Sequence, residues 1–428
     1  MQLEKIYALY LQHPQVQTDT RALQKGDLFF ALKGPNFNGN QYASTALSMG
    51  AAGVVIDEPI GIEGENIFLV EDTLSALQAL ALHHRKQFNI PFLAITGSNG
   101  KTTTKELIHA VLSSTYKTYT TKGNLNNHIG VPLTLLSIQH DAEMAIIEMG
   151  ANHQKEIESY CKIALPTHGL ITNCGKAHLE GFGGVEGIRK GKGELFDHLS
   201  AHTGTAFINS DLDYLEPMSE KISNKIFYGN KKGANPSNVI DTEKLLGLEV
   251  TLGANNQQKI FSQLVGAYNK ANVDAAICIG LHFGISFDTI RNAIESYMPD
   301  NARSQLIQSG SNTIVLDAYN ANPTSMQAAI ENFAKMEGEH KYLFLGGMME
   351  LGKESIEEHQ SLVGLLTRLK LNNTILVGGD FAHVKHPFPF FENVTSAASW
   401  LKDNLPSNAQ LLIKGSRSTK MEKLLEVL

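Results

Sequence analysis

The chain has 428 residues, of which 42% are hydrophobic and 18% are charged, and its formal net charge is −7. This length predicts two or three domains, and the composition is typical of a folded, soluble protein. The acidic balance argues against a protein that tracks a nucleic-acid backbone, because such proteins usually present a basic face.

Cysteine usage and the N-terminal sequence bear on where the protein works. The three cysteines are far apart and form no CxxC pair, so they indicate neither a zinc site nor a disulfide framework. The first residues lack a basic start followed by an apolar core, and no apolar run approaches the roughly 20 residues that span a bilayer. We therefore expect a cytoplasmic protein that is neither secreted nor inserted in a membrane.

Residues 1–87 have the pattern of a small α/β domain. Short strands are predicted within residues 26–32 and 51–56, with a helical stretch between them. A helix near residues 75–87 leads to Pro91, where a new strand begins. We therefore place the first domain boundary at residue 88.

Strands and helices alternate over residues 88–300, which predicts a mostly parallel sheet covered by helices. The predicted strands are 90–96, 144–149, 168–173 and 205–209, and the predicted helices are 154–162, 185–199, 270–280 and 288–296. Two polar, strand-like segments, 247–253 and 259–266, are expected to pair antiparallel at an edge of this sheet.

A glycine turn between the first strand of this domain and the next helix predicts a phosphate-binding loop. Gly97 and Gly100 let backbone N–H groups approach phosphate oxygens, Lys101 supplies a cation, and Thr102 offers a hydroxyl to Mg²⁺. The full loop pattern would have glycine at Ile95, so a tight turn with a solvated lysine is the alternative. The predicted phosphate site consists of Gly97, Ser98, Asn99, Gly100, Lys101, Thr102 and Thr103.

Chemically useful side chains follow three further segments of the same domain. Glu148 ends an apolar strand, where a carboxylate faces the ligand crevice and suits Mg²⁺, although it could instead cap the next helix. His178 follows the strand 168–173, and by itself it is as consistent with a structural role as with a role facing the ligand. Lys192 lies in the basic helical segment 186–194, which by itself is typical of a solvated face.

After a Pro-Asp-Asn turn at 299–301, a third alternation runs to the C-terminus. Its predicted strands are 313–316, 342–345, 374–377 and 411–413. The predicted fold class is α/β with three domains: a small α/β N-terminal domain (1–87), a central P-loop domain with a mostly parallel sheet (88–300), and a C-terminal Rossmann-like α/β domain (301–428).

Four segments together resemble the Mur ligases: 96–103, 147–153 and 175–180 in the central domain, and 317–323 in the C-terminal domain. The N-terminal segments 18–21 and 26–34 match that family's module for a uridine nucleotide. The resemblance implies an ATP-dependent amide ligase that forms an acyl-phosphate in peptidoglycan precursor synthesis. Segments 317–323, 345–352 and 414–417 favour the branch that joins D-alanyl-D-alanine to UDP-N-acetylmuramoyl-tripeptide. A sister ligase that adds a single amino acid, and a non-catalytic nucleotide-binding regulator, are the alternatives.

The resemblance also implies roles for individual residues. Catalysis is implied for Lys101, Glu148, His178 and Lys192, and contact with Mg²⁺, at two sites, is implied for Thr102, Glu148, His178 and Lys192. As a metal ligand Lys192 would be carbamylated, which requires a lowered pKa because CO₂ reacts with a neutral amine. Asn269, Asn272, Arg303 and Asp317 are implied contacts of ATP, with helix capping as the alternative for the two asparagines.

For the other two substrates, the resemblance implies residues in the outer domains. Thr20 and Arg21 are expected at the uridine-nucleotide end, and the loops around the dipeptide are expected to use Asn320, Asn322, Lys414, Ser416 and Arg417. A site divided over domains implies hinge closure before chemistry, and we expect a monomer. The chain departs from the family at Gly347, where relatives usually carry aspartate.

Overall fold

Parallel strands form the framework of the molecule in three successive parts of the chain. The computed structural model describes residues 2–59, 61, 64–240, 244–253, 256–300, 302–338 and 340–428. Within these residues the strands form sheets of four, six, three and six strands, together with a two-stranded hairpin. The predicted α/β fold class is confirmed.

The first part of the chain forms a four-stranded parallel sheet with the strand order β1-β2-β5-β6. Its elements are α1 (Gln2–Gln12), β1 (Val16–Gln17), β2 (Leu28–Phe30), β3 (Lys33–Gly34), β4 (Phe37–Asn38), α2 (Ala43–Ser48), β5 (Gly53–Ile56), β6 (Ile67–Leu69) and α3 (Thr73–Arg85). The strands predicted within 26–32 and 51–56 are therefore confirmed as β2 and β5.

The second part begins with a six-stranded parallel sheet. Its elements are β7 (Phe92–Thr96), α4 (Lys101–Ser113), β8 (Thr118–Thr120), α5 (Gly130–Leu136), β9 (Met144–Glu148), α6 (Glu156–Ala164), β10 (His168–Ile171), α7 (Leu179–Phe182), α8 (Val185–Ala201), β11 (Thr205–Asn209), α9 (Leu215–Met218) and β12 (Asn224–Tyr228). The strand order is β12-β11-β10-β7-β9-β8, so the chain fills one side of β7 and then the other. Ligands of such sheets bind where the order reverses, outside the carboxyl ends of the strands.

The antiparallel pair predicted at the edge of this sheet forms, but its predicted position is wrong. Strands β13 (Ser237–Ile240), β14 (Leu245–Leu252) and β15 (Asn256–Val265) make a separate three-stranded antiparallel sheet. One face of it contributes Leu246, Leu248 and Ile260 to a buried cluster shared with α4 and with the next helices, α10 (Lys270–His282) and α11 (Phe287–Ser296). Burying that apolar face against helices requires a second layer, which an edge strand would not provide.

The third part forms a six-stranded sheet with the order β16-β17-β21-β18-β19-β20, parallel except for the β16–β17 pair. Its elements are β16 (Gln305–Ser309), β17 (Asn312–Asp317), α12 (Pro323–Lys335), β18 (Lys341–Gly346), α13 (Ser355–Arg368), β19 (Thr374–Val377), β20 (Phe390–Phe391), α14 (Val394–Asp403) and β21 (Gln410–Lys414). All four strands predicted here are confirmed. The turn predicted at 299–301 ends at Asn301, which lies outside the described residues.

None of the helices in the described residues combines the length and the apolar character that crossing a bilayer requires.

A buried arginine at the end of α3 joins the first part of the chain to the second. Arg85 donates hydrogen bonds to the carbonyl oxygens of Ala164 (2.7 Å), Leu165 (2.8 Å) and Phe88 (3.0 Å). Its guanidinium carbon lies 3.6 Å from the centre of the Phe92 ring at the start of β7. The carbonyl groups of Ala164 and Leu165 in the second part therefore depend on one side chain that the first part supplies.

We expect Arg85→Ala to lower the free energy of unfolding by about 3 kcal/mol, because it removes charge-assisted hydrogen bonds and leaves buried carbonyl groups unpaired. Urea denaturation followed by circular dichroism measures the change. Arg368→Ala, at the exposed end of α13, is the matched control and should change that free energy by less than about 0.5 kcal/mol. Equal effects of the two substitutions would contradict this account of Arg85.

Candidate functional site

The loop between β7 and α4 requires glycine at two positions. Gly97 has φ +148° and a Cβ added to it would lie 1.9 Å from Thr172 Oγ1. Gly100 has φ +78°, and a Cβ there would lie 2.7 Å from Asn272 Oδ1. The absent side chains let the loop pass directly over its neighbours and start α4 at Lys101. The N-terminus of α4, with its partial positive charge, then lies at the carboxyl end of β7.

The side chain of Lys101 folds back over this loop. Its Nζ donates to the carbonyl oxygen of Gly97 at 2.7 Å. Burial lowers the pKa of Lys101, the nearby Arg303 lowers it further, and the charge of Glu148 opposes both effects. Arg303, in the third part of the chain, therefore places a second positive charge near Lys101.

Glu148 is buried at the end of β9 with both carboxylate oxygens engaged. Oε2 accepts from the Thr102 hydroxyl at 2.9 Å, and Oε1 accepts from Asn126 Nδ2 at 2.8 Å. The Glu148 N–H donates to Thr121 Oγ1, and the carbonyl oxygen of Thr121 accepts from Lys105 Nζ at 2.5 Å. The alternative that Glu148 caps the next helix is wrong, since these partners hold it against the phosphate loop.

His178 lies beyond β10 at a contact between the second and third parts of the chain. Its Nδ1 pairs with the Glu350 carboxylate, and this hydrogen bond holds the pKa of Glu350 below its usual value. Two residues earlier, Lys176 Nζ forms a 2.6 Å ion pair with Glu358, and the Lys176 N–H donates to Thr324 Oγ1 at 3.0 Å. The loop after β10 is therefore anchored on the third part.

Lys192 is buried on α8, with 1% of its surface exposed. Its Nζ donates to the carbonyl oxygen of Ala151 at 3.2 Å and lies 5.0 Å from the centre of the Phe182 ring. Burial, reinforced by the charge of Lys101, lowers the pKa of Lys192 to about 7. The solvated-face alternative is therefore wrong for Lys192, although Lys190 on the same helix is exposed.

Two asparagines before and within α10 form a hydrogen-bonded chain. Asn269 Nδ2 donates to the carbonyl oxygen of Val265 at 2.9 Å and to Ser304 Oγ at 3.2 Å. Asn269 Oδ1 accepts from Asn272 Nδ2 at 2.8 Å, and Asn272 Oδ1 accepts from Thr104 Oγ1 at 3.0 Å. Asn269 is the N-cap residue of α10 but makes no side-chain capping hydrogen bond, and Asn272 lies within the helix.

The third part contributes an ion pair and a stacked arginine. Lys414 Nζ contacts Asp317 Oδ2 at 2.6 Å and donates to the carbonyl oxygen of Asn320 at 3.3 Å. The guanidinium carbon of Arg303 lies 3.6 Å from the centre of the Tyr319 ring. Lys414 thus holds the loop after β17 in place, and Tyr319 on that loop presents its ring face to Arg303.

These elements surround a cavity of about 540 Å³. Most of the predicted site residues line it: Ser98, Asn99, Gly100, Lys101, Thr103, Glu148, His178, Asn269, Asn272, Arg303, Asp317, Asn320, Asn322 and Lys414. Gly97, Thr102 and Lys192 lie behind this lining and contact it through the bonds given above. The cavity therefore gathers residues that are more than 300 positions apart in sequence.

Four predicted residues are not part of the lining. Arg21 is exposed and pairs with Asp19 at 2.6 Å, and Thr20 lies beside it. Ser416 is buried with its Oγ 3.1 Å from Ser418 Oγ, while Arg417 pairs with Glu422 at 3.3 Å. The structure does not bring these four side chains to the cavity.

Several lining residues were not predicted from the sequence. They include Asn126, Asn127, His128, Tyr160, Tyr268 and Tyr319. The run Gly-Asn-Leu-Asn-Asn at 123–127, a polar turn after β8, is a signal that could have indicated the first two. No comparable local pattern marks the tyrosines, which reach the cavity from separate elements.

Gly347 stands where the resemblance leads one to expect aspartate, and the backbone around it is tightly packed. A Cβ on Gly347 would lie 2.7 Å from the Cα of Gly379. An aspartate would therefore require the loop after β19 to move.

Two family descriptions match the chain over most of its length. Residues 95–280 match the Mur ligase middle domain, and residues 302–417 match the domain described as Mur ligase, glutamate ligase domain. A UDP-N-acetylmuramoyl-tripeptide--D-alanyl-D-alanine ligase from Bacillus subtilis (strain 168) is 33% identical, over 96% of this chain and 92% of its own length. The enzyme of the same description from Escherichia coli (strain K12) is 36% identical, over 96% and 93%.

Solved structures with the same architecture include two described as MurF. The MurF ligase from Thermotoga maritima, in complex with ADP, superposes with a TM-score of 0.87 at 27% identity and covers 97% of each chain. A MurF from Acinetobacter baumannii has a TM-score of 0.86 at 30% identity, over 96% of this chain and 92% of its own.

We expect Gly97→Ala to lower the free energy of unfolding by about 3 kcal/mol or more, because the new methyl group would overlap Thr172 at a positive φ. Gly253→Ala, at φ +64° with open space around it, is the matched control and should cost only the backbone strain, about 1 kcal/mol. Thermal denaturation compares the two variants. A Gly97→Ala variant as stable as Gly253→Ala would contradict the described loop packing.

Proposed function

The chain belongs to the Mur ligase family, and from this premise we propose that it is the ATP-dependent ligase that joins D-alanyl-D-alanine to UDP-N-acetylmuramoyl-tripeptide. The observation that carries the proposal is the length of the similarity. The relatives named for this activity match the chain from end to end rather than in one shared nucleotide-binding domain. A sister ligase would be expected to match such relatives less completely in the domains that bind its own substrates.

Under this proposal ATP binds at the loop of residues 97–103. Support comes from the strand-loop-helix geometry, from the relative solved with ADP, and from the positively charged side chains of Lys101 and Arg303, which both line the cavity. Asn269 and Asn272 would contact the nucleotide from α10, and Asp317 would approach it from the third part of the chain.

The donor set at Thr102 and Glu148 fits Mg²⁺. A hydroxyl and a carboxylate lie 2.9 Å apart beside the phosphate loop, and Mg²⁺ is commonly held by one or two such protein oxygens together with phosphate oxygens and waters. Bound there, the ion would offset phosphate charge during transfer. Among the described residues no three His, Cys, Asp or Glu side chains form a metal cluster. The remaining ligands of Mg²⁺ would therefore come from phosphate oxygens and waters. His178 is the weaker fit, since it pairs with Glu350.

The reaction requires two anions to approach each other. The terminal carboxylate of the tripeptide attacks the γ-phosphorus of ATP, ADP leaves, and the amine of D-alanyl-D-alanine then displaces phosphate from the acyl-phosphate. Lys101 and Arg303 would screen the repulsion in the first step and stabilise the charge that develops on the transferred group. His178, close to the same cavity, is the candidate for contact with the acyl end.

For the remaining substrates we propose the outer parts of the chain. Thr20 and Arg21 would contact the uridine-nucleotide end, far from the reacting carboxylate. Arg417 is the best candidate for the dipeptide carboxylate, because its guanidinium is largely exposed and can bind two oxygens at once. Asn320, Asn322, Lys414 and Ser416 would shape that region. A monomer in the cytoplasm, where ATP is available, completes the proposal.

As the test of this activity, we expect the purified protein with ATP, Mg²⁺, UDP-N-acetylmuramoyl-tripeptide and D-alanyl-D-alanine to form the amide product with release of ADP and phosphate. Mass spectrometry identifies the product and a phosphate assay gives the rate. Single amino acids replace the dipeptide in the control and should leave phosphate release at background. ATP binding without substrate-dependent ADP formation would contradict the proposal and favour a regulator.

We also propose that Lys192 is carbamylated and then acts as an acidic ligand near a second Mg²⁺. Its pKa of about 7 supports this, because half of the amine is neutral near that pH and a neutral amine is what CO₂ requires. The fraction of neutral amine, and with it the carbamate, should rise between about pH 6 and pH 8.

We expect Lys192→Ala to lower kcat by about 100-fold, because the variant loses a charged group that would act in the site. Lys190→Ala, on the exposed face of the same helix, is the control and should stay within about twofold of the wild type. Native mass spectrometry in bicarbonate buffer should detect one added CO₂ in the wild type and none in Lys192→Ala. Full activity of Lys192→Ala would contradict the proposal.

A further inference from the structure

One hydrogen bond joins the third part of the chain directly to the phosphate loop. Asn322 Nδ2 donates to Asn99 Oδ1 at 2.6 Å, although the two residues are 223 positions apart. Both line the cavity, and Asn322 is 8% exposed. Sequence reasoning assigned Asn322 to the dipeptide, yet its amide is directed to the loop instead.

The orientation of the Asn322 amide is determined by its own helix. Asn322 is the N-cap of α12, where its Oδ1 accepts from the Ser325 N–H at 2.9 Å. The Ser325 hydroxyl lies 3.1 Å from the Asn322 N–H and completes a capping box. Since the oxygen is used by the cap, Asn322 can present only its NH₂ group to Asn99.

Asn322 thereby determines the orientation of the Asn99 amide. Asn99 must direct its oxygen to Asn322, and its Nδ2 then faces the other way, 3.2 Å from where a Cβ of Gly175 would be. Within the described residues this buried Nδ2 has no hydrogen-bond partner. Because Nδ2 is buried and faces Gly175, which does not line the cavity, the Asn99 side chain acts on the loop through its bond to Asn322.

The same contact depends on how the third part is docked. Thr324, two residues after Asn322, accepts from the Lys176 N–H, and Lys176 Nζ pairs with Glu358. The N-terminal end of α12, through Thr324, and helix α13, through Glu358, therefore both contact the loop after β10. If the third part moved away, Asn322 would leave Asn99 and its amide would be free to turn.

We propose that Asn322 is a positioning residue: when the third part docks, its hydrogen bond to Asn99 Oδ1 fixes the phosphate loop in the conformation that receives the transferring phosphoryl group. This inference rests on the proposed function. It makes closure of the third part a requirement for a complete phosphate site, and it assigns Asn322 to phosphoryl transfer rather than to dipeptide binding.

Asn322→Ser tests the proposal, because serine is an equally good N-cap but is too short to reach Asn99. We expect kcat for ligation to fall about tenfold or more, while the Kd for ATP measured by calorimetry stays within about threefold. Asn393→Ser is the matched control, because Asn393 caps α14 in the same way, accepting from the Ser396 N–H at 3.0 Å. That control should leave kcat and thermal stability unchanged.

A double-mutant cycle separates positioning from a purely structural role. Asn99→Ala should lower kcat by itself, and adding Asn322→Ser to it should lower kcat by no more than about twofold further, since the residue it orients is already gone. Undiminished loss in the Asn99→Ala background would overturn the inference, as would an Asn322→Ser or Asn99→Ala variant with wild-type kcat.

The wild-type ligation rate distinguishes the two levels of proposal. Absence of product from the wild type would overturn the proposed function together with this inference. An active wild type accompanied by an equally active Asn322→Ser variant would overturn the inference alone.

Discussion

Positive charge buried around one cavity is the constraint on which the rest of this structure depends. Lys101 and Lys192 donate to backbone carbonyls, and burial lowers the pKa of each. Lys414 is instead paired with the Asp317 carboxylate. Buried ammonium groups are costly without anions, so a cavity built in this way is energetically prepared for phosphates and carboxylates. The same cost accounts for the pKa of Lys192, which burial lowers to about 7.

The origin of these charges in separate parts of the chain couples binding to domain arrangement. Lys101 and Lys192 come from helices α4 and α8 of the second part, whereas Arg303 and Lys414 come from the third. An anionic ligand between them gains favourable contacts from both sides only in the docked arrangement, so binding favours that arrangement. The Asn322–Asn99 hydrogen bond lies at this junction and carries the coupling into the phosphate loop.

Features that depend on neighbouring residues could be predicted from the sequence. The apolar run 92–96 and the glycines that follow it specify a buried strand and a left-handed turn through local sterics, and β7 and α4 form there. The separate antiparallel sheet was not predictable in the same way. The polar faces of β14 and β15 identify strands, but no local pattern states which surface their apolar faces cover.

The amino-acid sequence by itself determined the order of the α/β elements, the phosphate loop and the carboxylate at Glu148, because each arises from periodicity or from short-range backbone chemistry. Only the tertiary structure decided that Lys192 is buried, that His178 pairs with Glu350, and that Asn322 meets Asn99. Burial, pKa and hydrogen-bond partners depend on residues hundreds of positions away, and a chain folded on several sheets brings those residues together in ways that local patterns do not encode.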